Sequence, residues 1–279
     1  MRKRGNSIEK KNEENNSIEK NHKRENNSIE KNQKSRESYT PDIKWDAKDA
    51  LISLIFLTVA LVAVYFGSAR LIEIFGQRAL LNSSNIGNIS FSVLYAIQTL
   101  LMLGVVWFFA IFQRKSSLRD LGFTYFSIGK TIWYSFVSLL FIFVMSFLYV
   151  YFTNSLFGIE APSSKIDTLV RNQSISSSIL IVVVTVIAPF SEEIFFRGFL
   201  YSAFKKKWGV NTGLFLSSFL FALVHLEPYS FIPIMIIGWL LAYLFEKTKS
   251  LMTPIFLHAV YNLILILIML KEFEFIKLY

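Results

Sequence analysis

The run Ile179-Leu-Ile-Val-Val-Val-Thr-Val-Ile-Ala-Pro-Phe190 leads straight into Ser191-Glu192-Glu193-Ile-Phe-Phe-Arg197-Gly198. The chain then stays apolar to Phe204, where Lys205-Lys206-Lys207 closes the stretch. A helix over 177–204 rises about 1.5 Å per residue, enough to cross a ~30 Å hydrocarbon core. Two carboxylates and a guanidinium therefore fall in the middle of a membrane span. An ionisable group there costs several kcal/mol, which makes it a functional-site candidate by default. Glu193 and Arg197 are four apart, share a helix face and can form a neutral pair. Glu192 is rotated about 100° from Glu193 and has no partner within its own helix, so it must find one on another helix or take up a proton.

The rest of the chain supports a membrane reading. Of 279 residues, 53% are hydrophobic and only 18% are charged, with a mean hydropathy of +0.44. The charge is unevenly spread: residues 1–49 hold 13 Lys/Arg and 10 Asp/Glu, leaving 16 basic and 10 acidic residues for the other 230. That remainder is too poor in charge to clothe a soluble surface. Apolar stretches near 50–70, 89–112, 129–153, 177–204, 209–226, 229–246 and 251–270 predict an all-α, polytopic transmembrane bundle of about seven spans, with six to eight as the range. The fifth and sixth are short and meet at His225-Leu-Glu-Pro228, so they read as two spans or one broken hairpin. Continuous apolarity without period-two alternation excludes an outer-membrane barrel.

Basic residues set an orientation. Lys44, Lys48, Arg114, Lys115, Arg119, Lys130, Lys205, Lys206, Lys207, Lys247 and Lys249 fall at one end of the spans. Arg70, Arg78, Lys165, Arg171, Lys271 and Lys277 fall at the other. The positive-inside bias predicts a multi-pass protein of the cell membrane with a cytoplasmic N-terminus and an external C-terminus. The formal charge of +9 follows this topology rather than a nucleic-acid footprint, so no nucleic-acid partner is expected.

Residues 1–43 form a polar tail in which Asn-Ser-Ile-Glu-Lys recurs at Asn6–Lys10, Asn16–Lys20 and Asn27–Lys31. With few apolar side chains to offset ordering entropy, it is expected to be disordered, and it is not expected to be a signal peptide. The membrane body is placed at 44–279, with its chemistry-bearing core at 175–270.

Two further polar groups interrupt the apolar spans: Phe221-Ala-Leu-Val-His225 and His258-Ala-Val-Tyr-Asn262. Four-residue spacing puts His258 and Asn262 on one face, and both histidines are expected inside helices rather than in loops. At 1.5 Å per residue, Glu192 and His225 lie roughly 20 Å from the basic end, and His258 and Asn262 roughly 10 and 16 Å. Each group alone reads as interhelical glue or a structural brace; together, at similar depth, they read as a site. A carboxylate among apolar groups holds a proton more readily than one in water, which suits a general base. Glu192, helped by His225, would take a proton from water as it attacks a peptide carbonyl. His258 and Asn262 supply N–H donors for the developing oxyanion. Ser191 lacks a partner base and is not expected to be a nucleophile. With no Cys, thiolate metal sites, Cys nucleophiles and disulfides are excluded.

The spacing Glu-Glu-x-x-x-Arg, Phe-x-x-x-His and His-x-x-x-Asn, in that order across Phe190–Asn262, resembles the CPBP family of CAAX proteases and bacteriocin-processing enzymes, also called Abi, which is related to the type II CAAX prenyl endopeptidases. Leu118-Arg-Asp-Leu-Gly-Phe123 looks like that family's weaker preceding segment. The resemblance implies an intramembrane endopeptidase with Glu192 as base, His225 as its helper, His258 and Asn262 as the oxyanion site, and Glu193 with Arg197 as a brace. A membrane-associated peptide or protein and the lipid bilayer are the implied partners. No His-Glu-x-x-His stretch is present and no cofactor is expected; the alternative is a divalent metal such as zinc on Glu192, His225 and His258. A non-proteolytic scaffold or bacteriocin-immunity protein of the same fold is the competing functional reading, and a proton-coupled transporter ranks below it. A prenylated C-terminus, a leader peptide and a signalling peptide are the substrate alternatives.

Overall fold

A computed structural model describes residues 43–76, 83–160, 162 and 176–277. The repeat-bearing residues 1–42 lie outside the described residues, as do Arg78, Lys165 and Arg171. The described residues fold as seven helical segments with no strand among them. These are α1 (Ala47–Gly76), α2 (Ser83–Val106, continued by π-helical Trp107–Gln113), α3 (Ile128–Phe157), a composite α4, α5 (Val210–Val224), α6 (Phe231–Thr248) and α7 (Met252–Lys277). In α4, α-helical Ser177–Val182, Ala188–Glu193 and Ser202–Trp208 alternate with π-helical Val183–Ile187 and Ile194–Tyr201.

Six of the seven are long and apolar enough to cross a membrane; α5, at 15 residues, is the exception. The protein is therefore a polytopic helical bundle with one short member. The fifth span expected at 209–226 ends early, because Val224 is followed by a turn and Pro228 cannot continue a helix. His225 consequently lies in the turn just past α5 rather than inside it, a correction to the expectation that both histidines sit within helices.

α4 is the central element: 61% of its span is buried, against 39% or less for any other crossing helix. Phe195, Phe199, Leu200 and Phe204 fill the core around it. By contrast α1 and α3 turn Ile55, Phe56, Val59, Trp133, Phe136 and Leu140 outward, each more than half exposed. So large an apolar surface suits lipid rather than water.

Contacts gather the basic segments at one end of the bundle. Lys44 donates to the Lys115 carbonyl, and Arg114 makes a two-pronged pair with Asp49 at 2.8 and 2.9 Å. Glu246 of α6 receives Lys205 of α4 at 2.7 Å, the Tyr201 hydroxyl at 2.7 Å, and Lys249. Trp45 is fully buried, stacks on Phe199 and donates its indole N–H to the Phe199 carbonyl at 3.0 Å, pinning the start of α1 to α4.

The segment Leu118–Phe123 wedges into the same end. Gly122 has φ +104, and a Cβ there would run into the Phe245 ring. Its carbonyl accepts the Leu251 N–H at 2.9 Å, while Thr124 donates to the Lys249 carbonyl at 2.7 Å. Gly198 lets α4 pass directly over this wedge: a Cβ would sit 2.8 Å from the Leu121 carbonyl oxygen. Thr131 and Thr253 share a hydrogen bond at 3.0 Å, so the starts of α3 and α7 are locked beside each other.

Candidate active site

Three helical elements, α4, the end of α5 and α7, deliver the polar groups to one place. Glu192, His225, His258 and Asn262 all line a single cavity of about 650 Å³. Glu193 and Arg197 stand behind its wall, both fully buried. Arg197 donates to Glu193 Oε1 at 2.7 Å and to the Gly238 carbonyl of α6 at 3.1 Å, and its guanidinium lies 4.2 Å from the centre of the Phe221 ring. The four-residue pairing read from the sequence is therefore present, and it is tied to α5 and α6 as well.

Glu193 Oε1 has a second partner. His258 Nδ1 lies 2.8 Å from it, and His258 Nε2 lies 3.9 Å from Glu192 Oε2. Adjacent carboxylates on α4 thus face the two nitrogens of one imidazole on α7. With Nδ1 donating to Glu193, Nε2 accepts when the ring is neutral and donates when it is doubly protonated. Glu192 thus faces His258 on another helix, at a distance beyond a hydrogen bond.

Glu192 and His258 meet at one level of the bundle, although a count at 1.5 Å per residue puts them at different depths. Eight residues between Glu192 and Lys205 are π-helical, and their wider turns account for only a small part of that difference.

His225 donates from Nδ1 to the Phe221 carbonyl at 2.6 Å, and its ring meets Phe221 edge to face. The neutral ring then keeps its acceptor at Nε2. Asn262 donates from Nδ2 to the Val184 carbonyl at 2.9 Å, within the first π-helical segment of α4. An amide carries two N–H bonds, so one remains for another acceptor. Ser191 is buried and directs its hydroxyl back to the Ile187 and Ala188 carbonyls, both at 3.1 Å.

Residues 174–264 match the family described as type II CAAX prenyl endopeptidase Rce1-like. The Rce1-like segment is about a third of the chain and holds all three motifs. The chain is also similar to YdiL of Bacillus subtilis (strain 168), provisionally named a membrane peptidase, with 28% identity over 93 residues, 33% of this chain and 38% of that protein. The UPF0177 protein YbdI of Lactococcus lactis subsp. lactis (strain IL1403) is 28% identical over 111 residues, 37% of this chain and 60% of that protein. The matches thus span less than two thirds of either relative. No solved structure gave a significant match. At family level the similarity is to membrane peptidases, as the motif spacing implied.

The cavity also has walls that motif reading did not find. Tyr95 and Gln98 of α2, Tyr149 of α3, Glu227 and Tyr229 of the α5–α6 turn, and Tyr261 of α7 line it. Gln98 carried a usable signal, as a polar residue within an apolar span. The tyrosines did not, because an amphipathic ring in a span is ordinary. No set of three His, Asp or Glu side chains among the described residues is arranged to hold a metal ion. His258 Nδ1 is committed to Glu193, so the set Glu192, His225 and His258 would have only Nε2 to offer from that ring.

Proposed function

We propose that this protein is an intramembrane endopeptidase that hydrolyses peptide bonds of membrane-associated substrates with water activated by Glu192. The observation that carries the reading is the shared cavity, in which an unpaired-in-helix carboxylate, two imidazoles and an amide converge within the helical bundle.

Glu192 takes a proton from water while the water oxygen attacks the carbonyl carbon. His225, anchored through Nδ1, presents Nε2 to orient that water. The carbonyl oxygen becomes an oxyanion, received by the Nε2–H that His258 carries when doubly protonated and by the second N–H of Asn262. The C–N bond then breaks, and the proton held by Glu192 passes to the leaving amine. Glu193 and Arg197 fix the His258 ring. Asn262 is preset by the Val184 carbonyl, so little reorganisation is needed as charge develops. Every step uses side chains of this chain and water, and the mechanism is metal-free. The positive-inside bias supports a cytoplasmic basic end, and a cell-membrane location is proposed with it.

Peptide hydrolysis in membrane fractions from cells expressing wild type, Glu192→Gln or His225→Ala tests the reading. Cleavage by wild type and its loss in both variants is expected; equal cleavage by all three removes Glu192 and His225 from the chemistry. A scaffold would keep its cellular role in Glu192→Gln.

A further inference from the structure

Gln98 lies within the apolar span Phe91–Gln113 of α2 and lines the cavity. A side-chain amide in a membrane helix ordinarily hydrogen-bonds to a neighbouring helix. Gln98 is half-buried and makes no such bond among the described residues. An amide without partners in an apolar setting is costly, and leucine would fill the place without that cost. The bundle thus keeps a polar group here that contributes nothing to holding the bundle together.

Its placement ties it to the reacting groups. Tyr95, Gln98 and Met102 all line the cavity, and their spacing of three and four residues makes them one stripe of α2. α2 packs against Ala188–Glu193, the part of α4 that carries Glu192. Other polar groups of the wall are committed to the fold. Thr58 donates to the Leu54 carbonyl at 2.8 Å, and Tyr149 to the Tyr229 carbonyl at 2.7 Å. Gln98 and Asn262 are the two amides lining the cavity, and Asn262 Nδ2 already donates to the Val184 carbonyl. Among the described residues, Gln98 is therefore the lining amide with both its oxygen and its nitrogen uncommitted.

Resting on the peptidase reading, we infer that Gln98 clamps the substrate backbone: its Oε1 accepts the N–H, and its Nε2 donates to the carbonyl, of one extended substrate residue close to the scissile bond. An extended residue presents its N–H and C=O to the same side, which is how paired antiparallel strands exchange two hydrogen bonds. A primary amide offers an acceptor and a donor side by side and matches that edge. Backbone groups stripped of water inside the bundle need such partners. Three extended residues span about 10 Å, the scale of a cavity of about 650 Å³, so the clamped residue lies within about three of the cut. The clamp reads backbone rather than side chains, and it holds the chain extended past Glu192.

The test uses purified full-length protein in phosphatidylcholine vesicles and an internally quenched peptide of Ala, Leu and Phe. One backbone amide at a time, the scissile one excepted, is replaced by an ester, which removes the N–H and keeps the chain length. Product masses confirm that the same amide is cut. In wild type, the ester at one position near the cut should lower kcat/KM on the order of tenfold. In Gln98→Met the parent peptide is cleaved less well and the ester at that position costs nothing further, while esters elsewhere act as in wild type. Gln98→Leu should behave alike, and Tyr95→Phe, on the same stripe, should keep the wild-type penalty. Both Gln98 variants should unfold at or above the wild-type temperature, because the amide has no partner in the fold. An ester pattern unchanged in Gln98→Met, its loss in Tyr95→Phe as well, or a clear drop in unfolding temperature in both Gln98 variants overturns the proposal. Anisotropy of dye-labelled versions of the same peptides on Glu192→Gln and Glu192→Gln/Gln98→Met protein separates the clamp from the peptidase reading. If wild type cleaves nothing while the ester weakens binding only where Gln98 is present, the peptidase reading fails and the clamp stands. If wild type cleaves but neither cleavage nor binding has a Gln98-dependent position, the clamp fails and the peptidase reading stands.

Discussion

His258 bridges two neighbouring glutamates, with Nδ1 2.8 Å from Glu193 Oε1 and Nε2 3.9 Å from Glu192 Oε2. Glu193 is at once the acceptor for this ring and for Arg197, so the buried ion pair and the catalytic histidine of the proposal share a single oxygen. Bracing and chemistry are thereby coupled, and they can be separated by mutation.

Arg197→Met leaves Glu193 buried without a counter-ion and should cost roughly 3–5 kcal/mol of stability. The double variant Glu193→Leu/Arg197→Met removes both charges and should recover most of that loss. It should not recover hydrolysis, because His258 loses the group that fixes its ring. Thermal unfolding and peptide cleavage measured on the same samples check both halves.

Gly198→Ala drives a Cβ to 2.8 Å from the Leu121 carbonyl oxygen, a backbone atom that cannot swing aside. Overpacking of this kind costs about 1–3 kcal/mol. A lowered unfolding temperature is expected, whereas alanine at Gly67, where nothing lies within 4 Å, should leave it unchanged or raised.

Much of this arrangement is legible in the sequence. Span lengths, the Glu193–Arg197 pair and the convergence of three motifs follow from apolar run length and four-residue spacing. Other features do not. The π-helical turns of α4 are a tertiary outcome with no residue signature here, and they slightly shorten the stretch between Glu192 and the basic end. The early end of α5 depends on Pro228 and the turn before it, which the apolar pattern of 209–226 hid. Tyr95 reaches the cavity through packing of α2 against α4, a relation that no local pattern encodes, whereas Gln98 stands out as a polar residue in an apolar span.

Asn262→Ala removes the donor held by the Val184 carbonyl. Loss of one oxyanion donor lowers kcat by about 10²–10³, and KM should change little because the interaction grows in the transition state. Asn262→Asp should be no better, since a carboxylate oxygen would then face that carbonyl. Steady-state kinetics on the two variants decide it.

Chelation should leave cleavage unchanged. His258 Nδ1 is committed to Glu193 in the account above, and the proposed chemistry needs only water and side chains. Dialysis of the purified protein against EDTA, followed by assay with and without added zinc, checks this; loss of activity restored by zinc would require a metal-bound water.

The central claim is that Glu192 activates the attacking water. Single-turnover hydrolysis by purified wild type and Glu192→Gln in the same vesicles tests it most directly, with peptide binding measured in parallel. The account predicts that Glu192→Gln binds peptide as wild type does and cleaves it slower by at least roughly a hundredfold. A variant that binds normally and cleaves within a few-fold of wild type would contradict it.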